Sequence, residues 1–287
     1  MPPHDLPGAA AMSASSPRFD QFDLRQMFAS VRSLAVVGNA ATILDYDNGA
    51  LIDSYDMVVR FNRAQVTDVE HRIGRRTDLL VANETNSLAL APSPADTLAP
   101  RCVLSFVLRG PDFDITPFRT WVGDHTPCLC LVPPDIIGFP QQGRTRLLSH
   151  GTYAIYLLTQ ILQLERLFVT GFTMFGTAPG GAQKYYGPAD RKAGTYHDLD
   201  QEPKLFCAIL AAFPGELRVT AEVDALLQRH GVHTQARLGS ADGTPAQRLT
   251  VYEQLQVGLS RRLLRWGTRL RHAVEKSNQT AFRNIKR

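Results

Sequence analysis

Three short apolar segments of this 287-residue chain end in an asparagine. "SLAVVGN" ends at Asn39, "DMVVRFN" at Asn62 and "TDLLVAN" at Asn83. One asparagine past a strand is ordinarily a turn former. Three at equivalent places in one sheet converge on one crevice. An amide side chain carries both donor and acceptor. Such a set suits ribose hydroxyls, a base edge and phosphate oxygens, and requires no metal. Gly38 precedes the first asparagine and permits a tight turn with close backbone approach to a ligand. The residues after it, Asn-Ala-Ala-Thr, break the G-x-G-x-x-G pattern at its second and third glycines. An acid about twenty residues on (Asp53 or Asp56) is weak support alone, so a dinucleotide is not expected here.

Two further groups carry chemistry. "LLSHGTYAIYLL" opens a long helical pattern, with Ser149 as its cap and Gly151 allowing close approach. The free N–H groups of such an end bind phosphate or carboxylate. His197, in "TYHDLDQEPKLF", directly follows Tyr196 and precedes a helical segment that carries Glu202. Imidazole is the natural general base for a hydroxyl acceptor near neutral pH.

The elements that must position these residues alternate. "SLAVVG", "DMVVRFN", "TDLLVAN", "RCVLSFVL", "CLCLVPP" and "RLFVTGF" read as strands, and "LRVTAE" as a last one. "QFDLRQMFASVR", "GTYAIYLLTQILQL" and "DLDQEPKLFCAILAAF" read as helices. Strand, helix, strand in alternation predicts an α/β domain with a mostly parallel sheet, with ligands at the carboxyl ends of the strands. Residues 173–196 read as a loop able to close over a ligand. The expected organisation is a disordered leader and short helix over 1–30, a catalytic domain over 31–233, a linker over 234–250 and a helical tail over 251–287.

Composition narrows the class. Hydrophobic residues are 44% and charged residues 20%, as in an ordinary globular protein. No apolar run reaches the roughly 18 residues that would span a membrane. The N-terminal "MPPHDLPGAAAMSASSPRFD" lacks the basic start and apolar centre of a signal peptide. The four cysteines, at 102, 128, 130 and 207, lack zinc-site spacing and read as free, mostly buried thiols in a reducing compartment. The net charge is +4, but residues 260–287 hold nine Lys/Arg and one acid, leaving the rest mildly acidic. In residues 251–287, Leu255, Leu259, Leu263, Trp266 and Leu270 form one apolar stripe beside Arg261, Arg265 and Arg269. The tail is expected to pack on the body or to touch an anionic membrane surface peripherally. No nucleic-acid partner is expected, and the localisation expected is cytoplasmic, on or near the inner membrane face.

Taken together, these segments resemble glycosyltransferase family 29, the animal-type sialyltransferases. "AVVGNAATIL…IDSYDMVVRFNRA" is similar to the large sialylmotif, and "SHGTYAIYLLTQILQLERLFVTGF" to the small one. "KYYG" resembles the short third motif, and His197 with Glu202 the very small motif, H-x4-E. The resemblance implies a single Rossmann-like domain of GT-A-variant type. It implies an inverting, metal-independent transfer of sialic acid from CMP-sialic acid to a glycan or glycolipid hydroxyl, with no cofactor. Carried over, Asn39 and Asn62 contact the CMP part of the donor, with Asn83 near its phosphate. Ser149, His150 and Gly151 hold the CMP portion or the sialic carboxylate, and His197 is the base. Lys184 and Tyr185 would stabilise the leaving phosphate.

The chain departs from the family pattern. Leu34 and Leu164 stand where secretory members carry a disulfide, which fits a reducing compartment. His150 replaces Thr or Ser, Lys184 replaces His, and Gly187 replaces an acid. Asp45-Tyr46-Asp47 and Asp198-Leu199-Asp200 imitate an Asp-x-Asp metal motif. The first falls in the large motif's variable middle and the second overlaps the His197 motif, so no metal is expected at either. Three alternatives stay open: transfer of another CMP-activated acid such as Kdo, a non-catalytic nucleotide- or glycan-binding protein, and an NAD-dependent oxidoreductase.

Overall fold

The computed structural model describes residues 21–83, 98–106, 116–123, 125–131, 148–174, 184–185, 197–233 and 237–238. The expected leader (1–20), most of the 173–196 loop with Gly187, and the tail (251–287) lie outside the described residues.

Among the described residues, eight strands form one sheet: β1 (Ser33–Val37), β2 (Met57–Phe61), β3 (Leu79–Val81), β4 (Cys102–Phe106), β5 (Cys128–Leu131), β6 (Arg166–Thr170), β7 (Glu216–Thr220) and β8 (Arg237–Leu238). The order across the sheet is β5-β4-β3-β2-β1-β6-β7-β8. Every adjacent pair is parallel. β8 lies inside the segment whose composition reads as a linker. Its two residues extend the sheet beyond β7.

β1, β2, β3 and β4 are buried at every position. That is the burial of parallel strands covered on both faces. Their side chains alternate between two cores. Leu34, Val36, Met57 and Val59 point to one face, beneath α1 (Gln21–Met27) and the later helices. Ala35, Val37 and Val58 point to the other. There they meet Ile43 of a 3-10 turn (Ala41–Asp45), Ile52 of α2 (Gly49–Asp53) and Ile73 of α3 (Glu70–Ile73). α4 (Thr116–Val122) covers the β3–β4 end with Phe118 and Val122. The first face is completed by α5 (His150–Ile161), α6 (Glu202–Ala211) and α7 (Ala221–Arg229). α7 follows β7 without a break, at a place where the sequence pattern shows only the strand.

Leu34 is fully buried and Leu164 is 9% exposed, and both lie in the same core cluster. Each buried leucine contributes about 1.5–3 kcal/mol. The four cysteines are free; Cys102 and Cys207 are buried, and Cys128 and Cys130 are half-buried on an edge strand. Among the described residues, no helix is long and apolar enough to cross a membrane.

The strand order reverses between β1 and β6. From β1 the chain builds outward to β5, and from β6 it builds the other way. Connections therefore leave in opposite directions and open a crevice above the carboxyl ends of these two strands.

Candidate functional site

Backbone contact between two glycines forms the floor of the crevice. The Gly38 N–H donates to the Thr170 carbonyl at 2.8 Å, and the Ala40 N–H to the Gly171 carbonyl at 3.0 Å. A Cβ on Gly38 would stand 2.2 Å from the Gly171 oxygen. Gly171 has φ +74°, a conformation that favours glycine. The missing side chain of Gly38 thus admits a neighbouring strand end.

Asn39 follows. Its Nδ2 donates to the Phe61 carbonyl at 3.0 Å. Asn62 has φ +56°, which asparagine tolerates better than most residues. Its Oδ1 accepts from the Asn83 N–H at 3.1 Å. The three asparagines therefore stand in sequence at the ends of β1, β2 and β3. Part of their bonding capacity staples those ends together. The other half of the amide, Oδ1 of Asn39 and Nδ2 of Asn62, makes no hydrogen bond among the described residues.

Lys184 and Tyr185 come to the same turn. Lys184 forms an antiparallel bridge with Ala40, and the Tyr185 N–H donates to the Asn39 carbonyl at 3.1 Å. A cation and a phenol are thus brought to the residues that hold Asn39.

The second half of the site is the start of α5. Ser149 caps it, accepting from the Thr152 N–H at 3.4 Å. His150 and Gly151 occupy the first two helical positions, whose N–H groups have no intrahelical acceptor. Glu202, the first residue of α6, is 1% exposed. Its Oε1 accepts from the Ser149 N–H at 2.7 Å and from the Thr152 hydroxyl at 2.8 Å. Its Oε2 lies 3.6 Å from His197 Nδ1. At that separation the carboxylate faces the ring edge without a hydrogen bond to it. The His197 side chain is 13% exposed. Asp198 turns the chain between them, its Oδ1 accepting from the Gln201 N–H at 2.9 Å. The first carboxylate of "DLD" therefore braces the turn. Asp45 and Asp47 point outward on either side of a buried Tyr46. No group of three or more metal-ligating side chains occurs among the described residues.

The His150 side chain is turned into the fold. It is 8% exposed, stacks on Phe106 and donates its Nε2 hydrogen to the Phe106 carbonyl at 3.1 Å. Burial pushes its pKa down to about 4. The ring is a neutral tie between the end of β4 and the start of α5.

Phe172 joins the two halves, and sequence reasoning missed it. Its ring is buried between Gly38 and Gly151: a Cβ on Gly38 would lie 2.9 Å from it, and one on Gly151 2.6 Å. It also packs against Phe61 and Phe206. Gly151, like Gly38, makes room for protein. The signal was present in the closing Gly-Phe of "RLFVTGF". Arg60 was likewise missed. It is 1% exposed on β2 and donates to the Ile73 and Arg76 carbonyls at 2.7 and 2.8 Å. Burial lowers its pKa to about 10, still far above neutrality.

Comparison with known proteins addresses one half of this arrangement.

Residues 10–100 match the model of glycosyltransferase family 29 (sialyltransferase).

That match contains Gly38, Asn39, Asn62 and Asn83 and ends before Ser149 and His197. A β-1,6-galactosyltransferase of Arabidopsis thaliana, GALT29A, is 39% identical over 51 residues. The aligned part is 18% of this chain and 13% of that protein, a small fraction of the relative's length. Two solved structures of a mammalian sialyltransferase, one in complex with Gal-β-1-3GalNAc-ortho-nitrophenol, are each 20% identical with a TM-score of 0.48. The first covers 69% of this chain and 71% of that one, the second 68% and 71%.

Proposed function

We propose that the protein is a glycosyltransferase, and specifically an inverting, metal-independent sialyltransferase that uses CMP-sialic acid. The observation that carries this reading is the buried Glu202, which holds the start of α5 with one oxygen and faces His197 with the other. An anion-binding helix end and a base are thereby fixed to each other. The doubly wound sheet suits the Rossmann-like, GT-A-variant fold that the sequence resemblance implies.

In this reading, departure of CMP builds negative charge on its phosphate. Preorganised donors meet that charge: the N–H groups of His150 and Gly151, the amides of Asn39 and Asn62, Lys184 and Tyr185. His197 Nε2 removes the proton from the acceptor hydroxyl as that oxygen attacks the anomeric carbon from the opposite face. Glu202 faces the Nδ1 side of the ring, and single-step inversion needs no covalent nucleophile. The acceptor is a glycan or glycolipid. A cytoplasmic site with peripheral membrane contact through residues 251–287 completes the proposal.

The test is transfer from CMP-sialic acid to a glycan array, read by mass, with His197→Ala beside it. Transfer by the wild type and its loss in the folded variant are expected. The short match to a galactosyltransferase favours one second reading, a galactosyl nucleotide donor. The same array run with that donor, and with CMP-Kdo, separates the three. Activity from neither CMP sugar would overturn the donor assignment.

A further inference from the structure

Glu222, a residue outside every motif considered above, sits at the first turn of α7 beside the crevice floor. Its Oε1 accepts from the Gly171 N–H at 2.9 Å and from the Thr220 hydroxyl at 2.6 Å. Its Oε2 accepts from the Tyr46 hydroxyl at 2.9 Å. The Thr220 and Thr170 hydroxyls lie 3.2 Å apart, at the end of β6. One carboxylate thus joins β6, β7, α7 and the segment after β1. Tyr46 is 6% exposed, and burial together with Glu222 raises its pKa, so the phenol stays a donor.

The two oxygens reach the Asn39 turn from opposite ends. Through Oε1, Glu222 fixes Gly171, whose carbonyl holds the Ala40 N–H. Ala40 bridges Lys184, and Asn39 accepts from Tyr185. Through Oε2 it fixes Tyr46, which ends the 3-10 turn that begins directly after Ala40. Neither oxygen has to touch substrate for this. We infer that Glu222 is a positioning residue for the donor-binding turn: it clamps residues 40–46 at both ends and thereby aims Asn39, Lys184 and Tyr185. That these aim at a CMP donor rests on the proposed function; the clamp itself does not.

The experiment is hydrogen exchange by mass spectrometry on the full chain, with calorimetric CMP binding in parallel. It compares Glu222→Ala, Glu222→Gln and Tyr46→Phe with Asp78→Ala. Asp78 is a buried acid at the opposite end of the sheet that accepts from the Val58 N–H and Arg76. Glu222→Ala should lose protection in residues 38–46 and weaken CMP binding on the order of tenfold. Tyr46→Phe should do the same to a lesser degree, and it keeps the test open if the alanine variant does not fold. Glu222→Gln keeps an acceptor for Gly171 and Thr220 and an amide for the Tyr46 oxygen, so it should stay near wild type. Asp78→Ala, at matched stability, should leave both readouts unchanged. Unaltered exchange at 38–46 in Glu222→Ala and Tyr46→Phe would overturn the proposal. So would equal deprotection in Asp78→Ala, or a glutamine variant as impaired as alanine. A wild type that binds no CMP, with the exchange pattern as expected, would sink the donor reading and leave the clamp intact.

Discussion

Gly38 and Gly171 meet backbone to backbone where β1 and β6 end, and the space between them admits no methyl group. A Cβ on Gly38 would lie 2.2 Å from the Gly171 oxygen and 2.9 Å from the Phe172 ring. The first of these neighbours is main chain and cannot rotate away. Gly38→Ala should therefore lower stability by about 3 kcal/mol or prevent folding. Denaturant unfolding checks the stability, and a variant within about 0.5 kcal/mol of wild type would refute the close approach.

His197→Ala should reduce transfer by roughly 10²- to 10⁴-fold, the range for loss of a positioned general base. Glu202→Gln should retain more activity than His197→Ala. Its amide oxygen can still accept from Ser149 and Thr152, but the charge facing the ring is gone. Steady-state kinetics with matched far-ultraviolet dichroism would check the order.

Acid should destabilise the fold through His150. Its pKa is about 4 when folded, against roughly 6.5 in an unfolded chain. Between those values the unfolded state binds the proton and the native state does not, so stability falls as pH falls from 6.5 toward 4. The contribution is fully present above about 6.5 and amounts to about 3 kcal/mol at most. Replacing His150 by Thr should flatten urea-melt stability across that window. An unchanged pH slope would show that another group carries it.

Asn62→Ala should cost about 1–2 kcal/mol, because the Asn83 N–H loses its acceptor and alanine tolerates φ +56° less well. It should also weaken CMP binding beyond that stability loss. Asn39→Ala should weaken CMP binding too, with a smaller change in stability, since its residue keeps its backbone bonds. Melting temperature and calorimetry on the same samples separate the two effects.

Chelation should leave transfer unaltered. Asp198 spends Oδ1 on the turn before α6, and Asp45 and Asp47 flank a tyrosine held by Glu222. Loss of activity in EDTA with recovery on adding manganese would contradict the metal-independent mechanism.

What was legible in the sequence follows from what each signal encodes. Strands β1 to β4 are apolar runs bounded by turn residues, and a parallel strand buried on both faces produces that pattern unavoidably. The placement of Asn39, Asn62 and Asn83 at successive strand ends was legible because position past a strand end is a local property. The purpose of the glycines was not. Whether Gly38 faces a ligand or another strand depends on Gly171 and Phe172, which local spacing does not place. Glu222 was invisible for the same reason: its partners Tyr46 and Gly171 are remote in the chain. α7 was hidden by β7, since "LRVTAE" runs from strand to helix with no glycine or proline between. β8 is two residues long and carries no pattern of its own.

The strand order also sets when the crevice can come into being. β1 is the first strand made, and its partner β6 emerges only after β5. Until then one edge of β1 is open, and the floor formed by Gly38 and Gly171 does not exist. A nascent chain stalled before β6 presents an unpaired apolar edge, a template for the wrong partner. Truncations that end before Arg166 should therefore aggregate, and those that reach past Glu222 should be the shortest in which the crevice can close.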